Sequence, residues 1–195
     1  MRLDEFIFEW DGLGFMPKEN IVMLKAPAKS GKTFALTLFA VAYIKGAHQG
    51  LRRIGSGGKV LFVDTEQAKN DTLKLLKRIE RESDSLDALT VLNARCRRAK
   101  ERVALIQYAA DKLKPSLIIV DGCADLVEGM DYNDPDKSEE AVAFLSKLAE
   151  DFKAVVLTAI HTNKYDESAT GWLGSLLLQK CAMELSVTKT VGSGR

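Results

Sequence analysis

Four stretches of the chain are apolar at nearly every position: Ile21–Leu24, the run inside Lys59–Asp64, the run inside Ser116–Asp121, and Ala154–Ile160, broken only by Thr158. Short runs of this kind are strands buried on both faces, as in a parallel sheet covered by helices. Between them the apolar spacing changes to three and four residues. From Thr33 to about Ala47 the chain is apolar almost all round, which predicts a helix buried on a sheet face and ended by Gly46 and Gly50. An amphipathic helix beginning near Gln67 carries Leu73, Leu76 and Ile79. Another, from about Glu101 to Leu113, puts Val103, Ile106, Ala110 and Leu113 on one face before Pro115 closes it. A further helix follows Ser138, the expected N-cap, with Val142, Leu145, Leu148 and Phe152. A strand near Ala88–Leu92, a short apolar helix to about Cys181 and a last strand from Met183 to Lys189 complete the pattern. Strands alternating with helices predict an α/β fold, a mostly parallel central sheet with helices on both faces.

Three stretches lack a clear period. Residues 1–19 alternate weakly through Phe6, Phe8, Trp10 and Phe15, with turn residues at Asp11-Gly12 and Gly14. They read as a short strand or lid-like lead-in whose aromatics pack on the sheet edge or contact an adenine. Gly50–Gly58 holds four glycines with Arg52 and Arg53 and reads as a mobile loop, its arginines solvated or in contact with phosphate. Gly122–Asp136 reads as an acidic loop.

Composition narrows the function classes. The 195 residues suit one domain with a single core. With 28 Lys and Arg against 27 Asp and Glu, bulk charge offers nothing to a nucleic acid, and a local patch would have to supply the attraction. The crowding of Arg95, Arg97, Arg98, Lys100 and Arg102 is the candidate, read either as a solvated helix start or as a ridge touching backbone phosphate. Cys96, Cys123 and Cys181 are widely spaced and form no CxxC pair, so they read as small residues of a reducing compartment. The acidic start Met1–Glu5 has no long apolar region, and the longest apolar run, Phe34–Ile44, is far short of a membrane span, which together predict a cytoplasmic protein.

The chemistry gathers at strand ends. Ala26-Pro-Ala-Lys-Ser-Gly-Lys-Thr33 lies between a strand and a helix, the context of a phosphate-binding loop. There the backbone N–H groups of Ala28, Lys29, Ser30, Gly31, Lys32, Thr33 and Phe34 face a polyphosphate at the positive end of the helix. Lys32 can reach the β- and γ-phosphates of ATP, and Thr33 offers a hydroxyl to Mg²⁺. The first position departs from the usual pattern: Ala26 stands where a glycine is common, so the start of the loop is either not left-handed or somewhat strained. Asp64 and Glu66 follow a buried strand, at the edge where open α/β sheets place ligands. A carboxylate there can orient or deprotonate a water, or can cap the helix that follows. Asp121 ends another buried strand, where it can meet Mg²⁺ directly or through a water. His161 ends a third, either structural or a sensor of the γ-phosphate.

The order of these motifs resembles the RecA-like ATPase core of hexameric helicases, and most nearly the RepA-like ATPases of plasmids and bacterial mobile elements. The resemblance spans roughly residues 10–190. It rests on the Ala26–Thr33 loop, the strand ends at Asp64-Thr-Glu66, Asp121 and His161-Thr-Asn-Lys164, and Thr170-Gly-Trp-Leu-Gly-Ser175 before a final strand. It implies a RecA-like P-loop NTPase fold in which the His161 strand lies between the phosphate-loop strand and the Asp121 strand. It further implies that Glu66 activates water, that His161 senses the γ-phosphate, that ATP and Mg²⁺ are bound, and that sites form between subunits of a homo-oligomeric, hexameric ring acting on single-stranded DNA. The chain stops before the Lys-x-Arg hairpin of that family, so it is expected to be an excised piece, and Arg195 is not assigned as an arginine finger.

Three functions compete on this reading: an ATPase motor or helper in DNA replication or mobilisation, a nucleotide-responsive regulator with weak turnover, and a small-molecule kinase with Arg95, Arg97 and Arg98 as its lid. A kinase needs no water-activating carboxylate, so Glu66 speaks against the last.

Overall fold

A computed structural model describes residues 5–163 and 168–188. Lys164, Lys189 and Arg195 of the stretches read above lie outside the described residues. The chain runs β1 (Phe6–Trp10), β2 (Leu13–Pro17), β3 (Asn20–Ala26), α1 (Lys32–Lys45), β4 (Ala47–His48), β5 (Leu51–Arg53), β6 (Val60–Asp64), α2 (Lys69–Ser83), β7 (Leu89–Asn93), α3 (Ala99–Leu113), β8 (Leu117–Asp121), α4 (Pro135–Phe152), β9 (Val155–His161), α5 (Gly171–Lys180) and β10 (Met183–Ser186). Two short 3-10 turns lie between β8 and α4.

The four apolar runs, flanked by β7 and β10, form a six-stranded, wholly parallel sheet in the order β10-β3-β9-β8-β6-β7. β9, which ends in His161, lies between β3 and β8, as the resemblance implies. Alternation within each run divides two cores. Ile21, Met23, Leu61, Val63, Ile118 and Val120 face the side covered by α3, α4 and α5. Val22, Leu24, Val60, Phe62, Leu117 and Ile119 face the side covered by α1 and α2. This is the α/β, RecA-like P-loop NTPase architecture. No described helix is long and apolar enough to cross a membrane.

The second sheet is the departure. β1, β2, β4 and β5 form a four-stranded antiparallel sheet in the order β2-β1-β5-β4. Phe8 and Phe15 pack on α1 rather than on the sheet edge: Phe8 lies 6.3 Å from Phe39 and 5.9 Å from Tyr43, and Phe15 lies 6.3 Å from Phe39, between ring centroids. The expected mobile loop over 50–58 is therefore corrected in its first half. β5 pairs with β1, Arg52 reaches Glu9, and Arg53 donates to the Tyr43 carbonyl at 2.6 Å and the Ile44 carbonyl at 3.3 Å, satisfying the end of α1.

Helix faces and caps are corrected too. The buried stripe of α2 is Thr72, Leu75, Ile79 and Ser83, while Leu73 is exposed. Its polar ends are satisfied, Thr72 donating to Asp64 at 2.6 Å and Ser83 to the Ile79 carbonyl at 2.7 Å, so hydropathy alone hides them. α4 is capped by Asp134, which accepts from the backbone of Asp136 and Lys137, with Pro135 opening the helix. Ser138 is instead buried and donates to the Tyr132 carbonyl at 3.2 Å.

Candidate active site

The site lies where β3, β6, β8 and β9 end. Ala26 is the last residue of β3 and pairs in register with His161. It has no left-handed backbone, so the irregular first loop position carries no strain of that kind. The left-handed residues are Lys29 (φ 59°) and Gly31 (φ 94°). A Cβ at Gly31 would meet nothing within 4 Å, so the backbone conformation, not crowding, requires glycine there. Gly31 gives α1 no side-chain cap and the first turn holds no acid, leaving its N–H groups for an anion.

Lys32, on the first turn of α1, is 5% exposed. Its ammonium lies 2.6 Å from Glu66 Oε1, 3.4 Å from Asp121 Oδ1 and 3.5 Å from His161 Nε2. Thr33 Oγ1 donates to Asp121 Oδ2 at 2.5 Å. His161 Nε2 is 3.6 Å from Glu66 Oε1. Four strand ends and one helix start thus bring Lys32, Thr33, Glu66, Asp121 and His161 into one cluster.

Electrostatics follow from this packing. His161 foremost, against the opposing effect of burial, and then Lys32 hold the Glu66 carboxyl down at about 2. Burial works against the Lys32 ammonium, yet Asp121 and Glu66 outweigh it and its pKa is raised. For Asp121 burial dominates, pushing its carboxyl up beyond what Lys32 and the Thr33 hydroxyl pull back. Glu66 is therefore an ionised acceptor, and Lys32 a fixed cation.

Asp64 and Glu66 separate the two roles weighed for them. Asp64 is fully buried and accepts from the backbone of Glu66 (3.1 Å) and Gln67 (2.9 Å) and from Thr72, so it builds the turn. Glu66 is left pointing at Lys32. Ala28, Glu66, His161 and Tyr132 line a cavity of about 560 Å³. Phe34 is not brought to the cluster by its side chain: its ring is exposed, with the Arg78 guanidinium 5.3 Å from its centroid. Lys29 is likewise exposed.

Three buried side-chain atoms among the described residues have no hydrogen-bond partner: Ser30 Oγ, Asp121 Oδ1 and His161 Nδ1. All belong to this site. Buried polar atoms are seldom left so, and a cluster of them marks a place for a polar ligand. No group of three or more His, Cys, Asp or Glu among the described residues could hold a metal. The oxygen donors Thr33 Oγ1 and Asp121 nonetheless fit Mg²⁺, which takes one or two protein ligands and completes its shell with phosphate and water.

Thr65, Gly122, Asp125 and Arg102 also border the site and were not singled out from sequence, except Arg102 as one of a basic run. Arg102 is in fact buried, donating to the carbonyls of Ala94, Arg95 and Asp125. Gly122, directly after a buried strand's terminal acid, was the available signal. Asp125 had none.

A strand, a phosphate loop on a helix N-terminus and strand-end acids around the loop lysine define the class, an ATP-binding P-loop ATPase. The sequence profile of a family described as AAA domain matches residues 8–167, and the chain belongs to that family. No match was found among curated proteins.

Proposed function

We propose that the chain hydrolyses ATP and couples that turnover to single-stranded DNA, as a helicase or helicase-like ATPase in replication or mobilisation of a plasmid or mobile element. Lys32 and the amides of residues 28–34 hold the β- and γ-phosphates. Thr33 and Asp121 hold Mg²⁺, which neutralises phosphate charge. Glu66 orients the attacking water and takes its proton, and His161 reads the γ-phosphate. The carrying observation is the convergence on the cluster of Lys32, Glu66 and His161 of two buried atoms with no partner, Ser30 Oγ and His161 Nδ1, and a third, Asp121 Oδ1, held by its ion pair with Lys32 alone. Binding alone needs the loop; a carboxylate facing the loop lysine, beyond the one that would meet the metal, is placed to accept a hydrogen bond from water and orient it. The resemblance to RepA-like ATPases supports the DNA role and assembly as a homo-oligomeric, hexameric ring.

A regulatory reading has one observation in its favour. Glu66 and Asp121 already pair with the lysine that phosphates need, so the site closes on itself and nucleotide binding must displace those contacts. Phosphate release from ATP, measured with and without single-stranded DNA over a salt series, separates the two. Stimulation that weakens with salt supports the DNA-coupled ATPase. Turnover indifferent to DNA selects the regulator.

A further inference from the structure

A buried polar chain runs from the neighbour of Glu66 to a guanidinium on α3. Thr65 is 2% exposed, and its one hydroxyl proton is offered three acceptors: the Asp121 carbonyl at 2.6 Å, Asp125 Oδ2 at 2.7 Å and the Gly122 carbonyl at 3.2 Å. Asp125 is held by Arg102. The guanidinium donates from Nη1 to the Asp125 carbonyl at 2.6 Å, and Nη1 lies 3.7 Å from Asp125 Oδ1. Its other nitrogens donate to the Ala94 carbonyl at 3.1 Å and the Arg95 carbonyl at 3.0 Å. One buried side chain thus ties the ends of β7 and β8 and, through Asp125 and Thr65, the end of β6.

Gly122 (φ +97°) is where the chain meets the site. A Cβ there would stand 2.5 Å from Thr65 Oγ1, 3.0 Å from Glu66 Oε1 and 3.1 Å from Asp125 Oδ2. These three oxygens crowd the same bare Cα, and Asp125 and Glu66 line the same cavity. Glu66 itself lies beyond the end of β6, where no ladder bond fixes it. The last backbone tie, from Thr65 N to the Asp121 carbonyl, is long at 3.3 Å. Asp64 holds the Glu66 backbone from below and Lys32 and His161 reach Glu66 Oε1, while the bare Cα of Gly122, shared with Thr65 and Asp125, is packed beside the same oxygen. A clamp that only joined strands would not need a carboxylate at the wall of the cavity.

We propose that Asp125, held by Arg102 and acting through Thr65, is a positioning residue for Glu66, keeping its carboxylate where it acts on water. This rests on the reading of Glu66 given above.

The test is steady-state ATP turnover by the full chain, with kcat and KM separated, for Asp125→Asn, Thr65→Val and Thr65→Ser. Each is made alone and in a Glu66→Gln background, with thermal melting of every protein. Asp125→Asn and Thr65→Val are expected to lower kcat about 10-fold or more with KM for ATP held within about 2-fold, since small displacements of a reacting group are costly. Thr65→Ser, which keeps the hydroxyl, is expected to retain kcat. Neither loss should add to that of Glu66→Gln, because residues acting through one group are not additive. Losses that persist in full in the Glu66→Gln background, or that merely track unfolding, overturn the proposal in favour of a structural clamp. Glu66→Gln with unchanged turnover overturns the Glu66 reading and this inference together. Glu66→Gln inactive while Asp125→Asn keeps its kcat overturns this inference alone.

Discussion

Both sheets of the molecule carry ion pairs, and the two kinds of pair do different work. On the antiparallel sheet Arg52 reaches Glu9 across β5 and β1, in water, where such pairs contribute little. At the C-terminal edge of the parallel sheet Lys32 is buried among Glu66, Asp121 and His161. Buried charges cost stability unless tightly paired, and replacing them with apolar groups is often neutral or better. A fold that keeps them there is using them. The small sheet, by contrast, is held by the aromatic packing of Phe8 and Phe15 on α1. One region is built for chemistry and the other for packing, and substitutions can pull the two apart.

The largest effect is expected from Lys32→Ala: ATP turnover falls by at least about 100-fold and nucleotide binding is lost, since the loop lysine is the cation that meets the phosphates. Undiminished binding in a titration calorimeter would break the comparison at its chemical end. Phe8→Ala, at a fully buried position, should lower stability by about 3–5 kcal/mol in a denaturant melt. At a temperature where the variant is folded, its turnover should match the parent. Gly122→Ala, forced into a left-handed backbone against Thr65 and Glu66, should cost about 1–3 kcal/mol in the same measurement and lower turnover as well, joining the two readouts at one residue.

The pH dependence is smaller and its sign is set by Glu66. Its pKa is depressed from 4.5 to about 2, so its contribution to stability is complete above 4.5 and is lost as pH falls towards 2. Melting temperatures of the parent and Glu66→Gln should therefore converge over that window, the parent losing stability that the variant never had. Least of all, Arg52→Ala should leave the melting temperature and turnover unchanged within measurement error. A clear shift in either would mean that the small sheet's surface takes part in more than packing.

How much could be read from the sequence differs in the same way between the regions. The central strands were legible because both of their faces are buried, so Val60–Val63 and Leu117–Val120 carry unbroken apolar runs that few other structures produce. Their C-terminal residues were legible as candidate chemistry because a parallel sheet gathers those ends at one edge. The antiparallel sheet was legible only at its start, where weak alternation and the Asp11-Gly12 turn mark a short strand. β5 is three residues long and β4 two, too short for a period, and the pairing of β5 with β1 joins residues some forty apart. The buried stripe of α2 keeps Ile79 but takes Thr72 and Leu75 in place of Leu73 and Leu76, and Thr72 and Ser83 are buried through hydrogen bonds that hydropathy does not register. Asp134, not Ser138, caps α4, because the helix opens earlier than its apolar spacing shows. Of the two readings open for Ala26, the one without a left-handed backbone holds, and the left-handed non-glycine position in the loop is Lys29. Asp125 and Arg102 could not be assigned at all, since their contacts join α3 to the turn after β8 and depend on packing that no local pattern encodes.

The central claim, that this site is arranged for hydrolysis and not only for binding, is tested most directly by Glu66→Gln. ATP affinity by calorimetry and phosphate release should be measured on the same preparation. The expected result is affinity equal to or tighter than the parent's, with turnover reduced by about 100-fold or more, as when a group acting only in the transition state is removed. Turnover that survives the substitution would contradict the claim.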